Sequence, residues 1–308
     1  MEFFKKQTNI AFMGARRYTA AISVMMICVS LFFLYTKGLN FALDFTGGSL
    51  LELRLQDAVD LEQIRDVLKD KGYADAKVMQ YGTPKDILIR ISNRSGESEQ
   101  VLGKKIHEAL NQAIPAELRR IEFVGSEVGQ QLAEQGGLAV LVALLATMLY
   151  IGMRFEYRFA ISAAVALIHD PILILGIFSA FQVEFDLATL ASILAVIGYS
   201  LNDTIVVYDR VRENFRKIRK GTAREILDMS INQTLSRTIM TSVMTAVVVV
   251  ALLFFGGESL RGFSMAFLIG IFVGTYSSIY VAGAIALALG LDKKDMMPAA
   301  KKPIDDMP

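Results

Sequence analysis

Residues 187–208 read LATLASILAVIGYSLNDTIVVY, an apolar run that a single charged residue, Asp203, interrupts. An α-helix rises about 1.5 Å per residue and the hydrocarbon core of a bilayer is about 30 Å thick, so about 20 apolar residues cross it. This stretch is therefore long enough to span a membrane. The composition agrees, because 53% of the 308 residues are hydrophobic and 20% are charged. We expect a membrane protein rather than a soluble globular domain, a disordered chain or a fibre.

Five further runs of the same kind bring the prediction to six transmembrane helices. The predicted spans are 18–36, 135–153, 159–183, 187–208, 238–257 and 262–291. The first run follows a basic start and has no small-x-small cleavage signature before Lys37, which predicts an uncleaved anchor rather than a removed signal peptide. In the last run, Gly270 and Gly274 form a small-xxx-small pattern, which predicts close helix packing.

Basic residues are concentrated in alternate connections, which predicts the orientation of the helices. They occur in 1–17, between the second and third spans, in a basic loop at 209–237 and in a tail at 292–308. These segments are therefore expected on the cytoplasmic side, and 37–134 on the periplasmic side. The formal net charge is only +1, so there is no overall positive field of the kind that attracts nucleic acid.

The polar segment 37–134 carries a secondary-structure pattern of its own. Alternating and helical periodicities predict strands at 49–55, 77–81, 87–91 and 121–124, helices at 61–71 and 101–114, and a turn at 82–85. The order strand, helix, strand, strand, helix, strand is that of split βαβ folds. We predict an α+β ferredoxin-like domain. It has no catalytic set of Ser, His and Asp and no Cys/His cluster, so an enzyme or a metal site is not expected.

Ionisable residues inside a membrane are costly and commonly mark function. Asp203 lies in the cytoplasmic half of its span, where desolvation of the carboxylate suits reversible protonation. Tyr199 and Ser200 precede it by four and three residues, on the same helix face, and with the adjacent Asn202 they are predicted to support it. The alternative is that Asp203 caps a neighbouring helix or braces the bundle.

Arg237 lies at the cytoplasmic entrance of the fifth span. Its long side chain could extend to the membrane interface. It could also turn inward and pair with Asp203, and such a pair would act as an electrostatic switch if the Asp cycled its protonation. The spacing alone leaves both possibilities open.

The sequence His169-Asp170-Pro171 lies in the middle of the third span. Pro171 lacks a backbone donor and is expected to bend the helix. Asp170 and His169 at the bend are candidates for a proton relay. The alternative is a buried structural hydrogen bond between helices.

The sequence Leu43-Asp44-Phe45-Thr46-Gly47-Gly48 follows the first span. Its two glycines permit a tight turn with positive φ. We predict either a hinge built from Asp44, Thr46, Gly47 and Gly48 or a plain structural linker.

Three stretches resemble the SecF subunits of SecDF protein-export complexes, in the resistance-nodulation-division superfamily. They are LDFTGG at 43–48, RRIEFVG at 119–125 and IGYSLNDTIVVYDRVREN at 197–214. The six predicted spans and the predicted outer domain also match that family, so the resemblance covers nearly the whole chain.

The resemblance implies one half of a pump in the bacterial inner membrane, with SecD as the other half. Such a complex assists the SecYEG channel and uses the proton-motive force to complete export of preproteins after the SecA motor has acted. It also implies YajC and YidC as partners, protons as the coupling ion, no cofactor, and proton transport at Asp203 and Arg237. A role for Asp170 and His169 is less defined. The alternatives are a non-conducting scaffold of the translocase and a small-molecule exporter half of the same superfamily.

Overall fold

The computed structural model describes residues 8–81, 83–91, 99–218 and 221–291. The predicted tail at 292–308 and the first residues of 1–17 lie outside this part. The helices are α1 (Arg16–Thr36), α2 (Leu43–Thr46), α3 (Leu61–Asp70), α4 (Glu99–Asn111), α5 (Ser126–Arg154), α6 (Tyr157–Phe181), α7 (Leu187–Lys217), α8 (Ala223–Phe255), α9 (Arg261–Tyr276) and α10 (Ala282–Ala288). The strands are β1 (Asn40–Phe41), β2 (Gly48–Leu55), β3 (Lys77–Tyr81), β4 (Thr83–Ile91), β5 (Ala116–Val124) and β6 (Glu184–Phe185).

Six helical stretches in the described residues are long and apolar enough to cross a membrane. They are α1, α5, α6, α7, α8 and the segment Arg261–Ala288, in which a π-helical turn at Ser277–Val281 joins α9 to α10. The chain divides into two compact units, a helical one (1–40, 140–183 and 188–308) and an α+β one (41–139 and 184–187). The predicted fold class, six membrane helices with an α+β domain between the first two, is confirmed.

Small residues allow close helix contacts in the helical unit. A Cβ added at Gly176 of α6 would overlap Ser30 of α1, and a Cβ added at Gly270 of α9 would overlap the side chain of Val196 on α7. A Cβ at Gly274 would lie 2.9 Å from the Cβ of Ser200. The close packing predicted from the small-xxx-small pattern is therefore confirmed, and it brings α9 against α7 beside Asp203.

The basic connection predicted at 209–237, between the fourth and fifth spans, is mostly helical in its described residues. Helix α7 continues to Lys217, helped by two pairs one helical turn apart, Arg210 Nη1 to Glu213 Oε2 at 2.8 Å and Lys217 Nζ to Glu213 Oε1 at 2.6 Å. Helix α8 begins at Ala223 with a capping box in which Thr222 and Glu225 satisfy each other's backbone N–H groups. Charged helix of this kind is stable in water, so the loss of apolar residues marks the membrane boundary rather than the helix end.

The α+β unit contains a four-stranded antiparallel sheet in the order β3-β4-β2-β5. Helices α3 and α4 pack on one face through a buried apolar core that includes Leu51, Leu53, Ile64, Ile89 and Ile106. The ferredoxin-like order predicted from the sequence is therefore observed. The chain reverses where the turn at 82–85 was predicted, because Tyr81 of β3 pairs antiparallel with Thr83 of β4. The predicted turn is too long, since β4 already begins at Thr83, whose hydroxyl donates to Asp86 Oδ2 at 2.6 Å. Gly82 lies outside the described residues.

The turn between α6 and α7 also belongs to the α+β unit, although it is distant in sequence. Strands β1 and β6 pair, and the N–H of Ala42 donates to the carbonyl of Phe185 at 2.8 Å. The rings of Phe41, Phe45 and Phe185 lie within 6 Å of one another, centroid to centroid. The predicted domain boundary at 37–134 missed this part, since nothing in the turn's own sequence points to a distant strand.

Candidate functional site

Asp203 is buried on the inner face of α7. Its exposed fraction is 3%, and within the described part of the chain its Oδ2 atom has no hydrogen-bond partner. The same face carries the buried residues Ser200, Thr204 and Val207. Burial in an apolar bundle is costly for a charged carboxylate that lacks a full set of hydrogen-bond donors, and it is less costly for the protonated form. Asp203 therefore has the surroundings of a group that can take up and release a proton.

A second buried carboxylate, Asp170 on α6, is held by side chains from three parts of the bundle. Its Oδ2 accepts hydrogen bonds from Ser200 of α7 at 2.5 Å and from Ser277 of the π-helical turn at 2.8 Å. Its Oδ1 lies 2.9 Å from Nδ1 of His169. This is the cross-helix hydrogen bonding that the sequence left as one of two alternatives, and it fixes where α6, α7 and the π-helical turn meet.

One ring nitrogen of His169 has a hydrogen-bond partner in the described residues, and the other has none. Nε2 is buried and has no hydrogen-bond partner in the described residues. The ring stacks against Tyr276, with centroids 6.4 Å apart and planes 29° apart. The imidazole is therefore tied to Asp170 through Nδ1, and Nε2 keeps a vacant proton-accepting or proton-donating position.

The predicted support of Asp203 by its helix neighbours is not observed. The Ser200 hydroxyl donates to Asp170, and the Tyr199 hydroxyl donates to Ser242 of α8 at 3.3 Å. Asn202 is exposed. The prediction failed because acceptors on neighbouring helices compete with Asp203 for these hydroxyls, and the two hydroxyls donate to acceptors on α6 and α8 instead.

Arg237 of α8 forms no ion pair with Asp203 in the described residues, so the inward-turned alternative is not observed. The Arg237 side chain is exposed, yet its guanidinium is the opposite charge that acts on the Asp203 carboxylate. A role of Arg237 in proton transport stays a prediction.

The 43–48 motif forms a closely packed joint in the α+β unit. Asp44 Oδ2 accepts the N–H of Leu187 at 3.0 Å, at the start of α7. Gly47 and Gly48 have φ of 66° and 124°, as predicted from their positive-φ preference. A Cβ at Gly47 would lie 2.8 Å from the Cα of Ser126, and one at Gly129 would lie 2.9 Å from the nitrogen of Gly47. The hinge role remains a prediction.

Arg90 of β4 is a buried residue of this joint that the sequence did not single out. Its Nη1 donates to Glu184 at 2.8 Å, and its Nη2 donates to the carbonyl of Phe41 at 2.5 Å and to the hydroxyl of Thr46 at 2.8 Å. The one signal was an arginine inside the apolar strand ILIRI at 87–91. That signal was weak, because an arginine on the outer face of a sheet normally faces water.

Burial shifts the pKa values of both Arg90 and Glu184 in the direction that favours their neutral forms. Burial raises the pKa of Glu184, and the attraction of Arg90 only partly offsets it. Burial likewise lowers the pKa of Arg90, against the attraction of Glu184 and Asp44. Glu184 also feels the charges of Asp186 and Lys77. The joint therefore contains a carboxyl group whose charged form is less favourable than in water.

Comparisons with known proteins agree with the resemblance. The family described as "Protein export membrane protein SecD/SecF, C-terminal" matches residues 104–292, and "SecD/SecF GG Motif" matches residues 32–59. The chain is similar to the protein translocase subunit SecF of Vibrio alginolyticus, with 49% identity over 96% of this chain and 95% of that protein. The corresponding protein of Pseudomonas aeruginosa is 48% identical over 97% of this chain and 98% of that protein.

Among solved structures, the chain is similar to SecDF from Thermus thermophilus, a translocon-associated membrane protein. The TM-score is 0.83 at 37% identity, and the match covers 94% of this chain but 39% of that one, so this chain corresponds to well under half of the solved protein. A structure of SecDF in its super-membrane-facing form matches with a TM-score of 0.67, at 35% identity and the same coverages. The family match and the near-full-length relatives show that this chain belongs to the SecF family of multi-pass membrane protein translocase subunits.

Proposed function

We propose that this chain is the SecF half of a proton-motive-force-driven complex with SecD, which assists SecYEG- and SecA-dependent protein export across the bacterial inner membrane. In this proposal both termini are cytoplasmic, the α+β domain is periplasmic, and YajC and YidC are further partners. The coupling ion is the proton, and no cofactor takes part. The observation that carries the proposal is Asp203, a buried carboxyl in a membrane-spanning helix, one oxygen of which has no hydrogen-bond partner in the part of the chain that the structure describes.

Protonation of Asp203 changes the forces on α7 and α8. The charged carboxylate attracts Arg237, whereas the protonated form does not. Loss of the attraction favours a different packing of the two helices, and release of the proton to the opposite side of the membrane completes the cycle. The energy available is about 2.3 kcal/mol per proton for each 100 mV of membrane potential. That is enough to bias a two-state motion more than tenfold.

The Asp170 cluster is the natural second station in this proposal. It joins α6 and α7 through Ser200, three residues from Asp203 on the same helix. It also reaches the π-helical turn through Ser277, and π-turns within helices frequently occur at functional sites. A repacking of α7 would pull the Ser200 hydroxyl relative to Asp170, so the two carboxyl groups are mechanically linked.

The experiment measures export driven by an imposed proton gradient in sealed membranes that contain the translocase. A preprotein is arrested as a translocation intermediate, ATP is removed, and completion is followed with the wild type and Asp203→Asn. Both complexes are first checked for equal assembly with SecD. The matched control is Asp209→Asn on the same helix, where the carboxylate forms a half-exposed ion pair with Arg154 at 3.0 Å.

We expect the wild type and Asp209→Asn to advance the intermediate and Asp203→Asn to fail. If Asp203→Asn advances it as well as the wild type, Asp203 is structural and the proposed mechanism is wrong. If no version responds to the gradient, the chain acts as a non-conducting scaffold of the translocase.

A further inference from the structure

Three arginines converge on an open cavity where α1 and α8 begin. Arg16 and Arg17 are the first residues of α1, and Arg224 lies in the first turn of α8. The cavity has a volume of about 550 Å³ and is lined by Met13, Gly14, Arg16, Arg17, Tyr18 and Arg224. None of these lining residues is acidic.

The fold holds these arginines together through the segment that precedes α1. The N–H of Met13 donates to Asp228 of α8 at 2.7 Å, and the backbone of Ile10 exchanges hydrogen bonds of 2.9 and 2.8 Å with the Asn232 side chain. Gly14 then lies under the Arg224 guanidinium, and a Cβ there would come within 3.1 Å of Nη2. The convergence is therefore built by tertiary contacts and by a residue without a side chain.

The residues that line the cavity carry three positive charges and no negative one. No ion pair is formed by Arg16, Arg17 or Arg224 with a described carboxylate. Two acids of α8 follow Arg224, and both are hydrogen-bonded to backbone N–H groups, Asp228 to that of Met13 and Glu225 within the capping box with Thr222. Glu225 also attracts Arg224 and offsets part of its charge. Arginine keeps its charge at any physiological pH, so three arginines around one cavity favour the binding of an anion.

An exposed apolar stripe begins at this cavity. Tyr18, Ile22, Met25 and Val29 follow one another at intervals of four, three and four residues along one face of α1, and their exposed fractions are 77%, 45%, 59% and 49%. Because α1 is one of the membrane-crossing helices, this stripe runs from the polar end of the helix into the hydrocarbon region. A ligand that fits both parts has an anionic head and an apolar tail.

We propose that Arg16, Arg17 and Arg224 form a binding site for the phosphate headgroup of an anionic phospholipid whose acyl chains lie along the stripe of Ile22, Met25 and Val29. The shared chemistry is a phosphate anion, and the arginine fork binds phosphate oxygens in pairs. A free phosphate would use the cavity alone, whereas a phospholipid uses the cavity and the stripe. A bound headgroup bridges the beginnings of α1 and α8.

The test uses a fluorescent reporter in the full chain. The chain contains no Trp, so Ile22→Trp places a single indole on the stripe without changing the arginines. The protein is reconstituted in phosphatidylcholine vesicles that carry a minor fraction of brominated phosphatidylglycerol or, in parallel, of brominated phosphatidylcholine. We expect the brominated phosphatidylglycerol to associate with the stripe about fivefold more strongly than the brominated phosphatidylcholine does. This ratio of the two associations corresponds to the effect of roughly one arginine contact near a membrane surface.

Two variants test whether the cavity causes the preference. Replacement of Arg16, Arg17 and Arg224 by Gln is expected to bring the ratio to about one, the value of unselective contact. Gly14→Glu keeps all three arginines but places a carboxylate among them, and it is expected to abolish the preference too. The matched control replaces Arg210, Arg212 and Arg216 by Gln, which removes the same charge from the end of α7 and is expected to leave the ratio unchanged.

The remaining experiments distinguish a phospholipid headgroup from free inorganic phosphate as the anion that binds. If inorganic phosphate at millimolar concentration removes the preference for the anionic lipid, the site takes free phosphate and the proposal of a lipid site is overturned. The proposal is also overturned if the cavity variants keep the ratio, or if the α7 control loses it equally, since general surface charge then explains the result. Full helicity and monodispersity of each variant show that loss of the ratio is not loss of the fold.

Discussion

At the scale of single residues, Asp170 and Asp203 differ in their hydrogen bonding. Two hydroxyls and an imidazole converge on Asp170, whereas one oxygen of Asp203, one turn along α7 from Ser200, has no partner among the described residues. The hydrogen bonds of Asp170 are suited to holding the helices in register. The incomplete hydrogen bonding of Asp203 is suited to a change of protonation.

We predict that Ser200→Ala and Ser277→Ala each destabilise the chain by about 1–2 kcal/mol, because each leaves a buried carboxylate short of a donor. The double variant is expected to cost less than the sum, since both hydroxyls share one oxygen. Thermal unfolding in detergent measures both. The control is Ser192→Ala on the same helix, whose hydroxyl donates to the backbone carbonyl of Phe263 at 2.9 Å. Equal losses at Ser200 and Ser192 would show that Asp170 does not depend on its hydroxyl donors.

A second prediction concerns the pH dependence that Glu184 confers. Its pKa is raised in the folded chain, so the folded state holds a proton that the unfolded state has already released. Stability from this group is therefore present below its ordinary pKa of about 4.3 and declines as the pH rises toward the folded value. Glu184→Gln keeps the acceptor for Arg90 without a titrating proton and is expected to flatten this decline.

The measurement is thermal unfolding of the full chain at a series of pH values that starts at about 4, just below the ordinary pKa of a glutamate, and rises from there. Glu117→Gln is the control, because Glu117 is exposed on β5. A decline that survives in Glu184→Gln but disappears in Glu117→Gln would contradict the assignment.

At the scale of elements, the contact between α7 and α9 depends on glycine. Gly270→Ala is expected to destabilise the bundle by about 1–3 kcal/mol, because the new Cβ overlaps Val196 and a packed core does not absorb extra volume. Gly198→Ala on α7 is the matched control. Nothing lies within 4 Å of a Cβ there, so it is expected to gain about 0.5–1 kcal/mol from helix propensity. The unfolding midpoints in detergent should move in opposite directions, and movement in the same direction would remove the packing explanation.

The elements also show what the sequence could predict. The spans and the order of the α+β domain followed from periodicity, because each element buries its own apolar face. The ends of α7 and α8 did not, since their charged turns are held by local pairs such as Glu213 with Lys217 rather than by apolar burial. The partners of Ser200 and Arg90 also could not be predicted. These partners depend on which helix or turn packs opposite each residue. The spacing of residues along the sequence does not show that packing.

At the scale of the whole molecule, the α+β unit draws on two distant parts of the chain. Its sheet has a core of its own, but Arg90 reaches Glu184, which lies in the turn between two membrane helices. The cost of burying the arginine is therefore offset in part by Phe41 and Thr46 and more fully when the turn with Glu184 is also present. An Arg90 substitution can therefore be compared with and without the turn that contains Glu184. The comparison shows whether Arg90 stabilises the sheet domain itself or its contact with that turn.

We predict that Arg90→Leu has unequal effects in the full chain and in a fragment that contains residues 41–134. In the full chain it leaves Glu184 without its partner in a half-buried position, and a loss of about 1–2 kcal/mol is expected, below the value for a fully buried pair because Glu184 retains access to water. In the fragment Glu184 is absent, but the hydrogen bonds of Arg90 to Phe41 and Thr46 remain, so a smaller loss of about 0.5–1 kcal/mol is expected.

Urea unfolding measures the fragment, and thermal unfolding in detergent measures the full chain, each against its own unsubstituted version. The control is Arg54→Leu on β2, whose ion pair with Asp86 lies at 3.8 Å entirely within the sheet and should have the same small effect in both contexts. A loss from Arg90→Leu that is as large in the fragment as in the full chain would place the role of Arg90 in the domain alone. A loss that is larger in the full chain would mean that the turn before α7 and the sheet are stabilised by one shared ion pair.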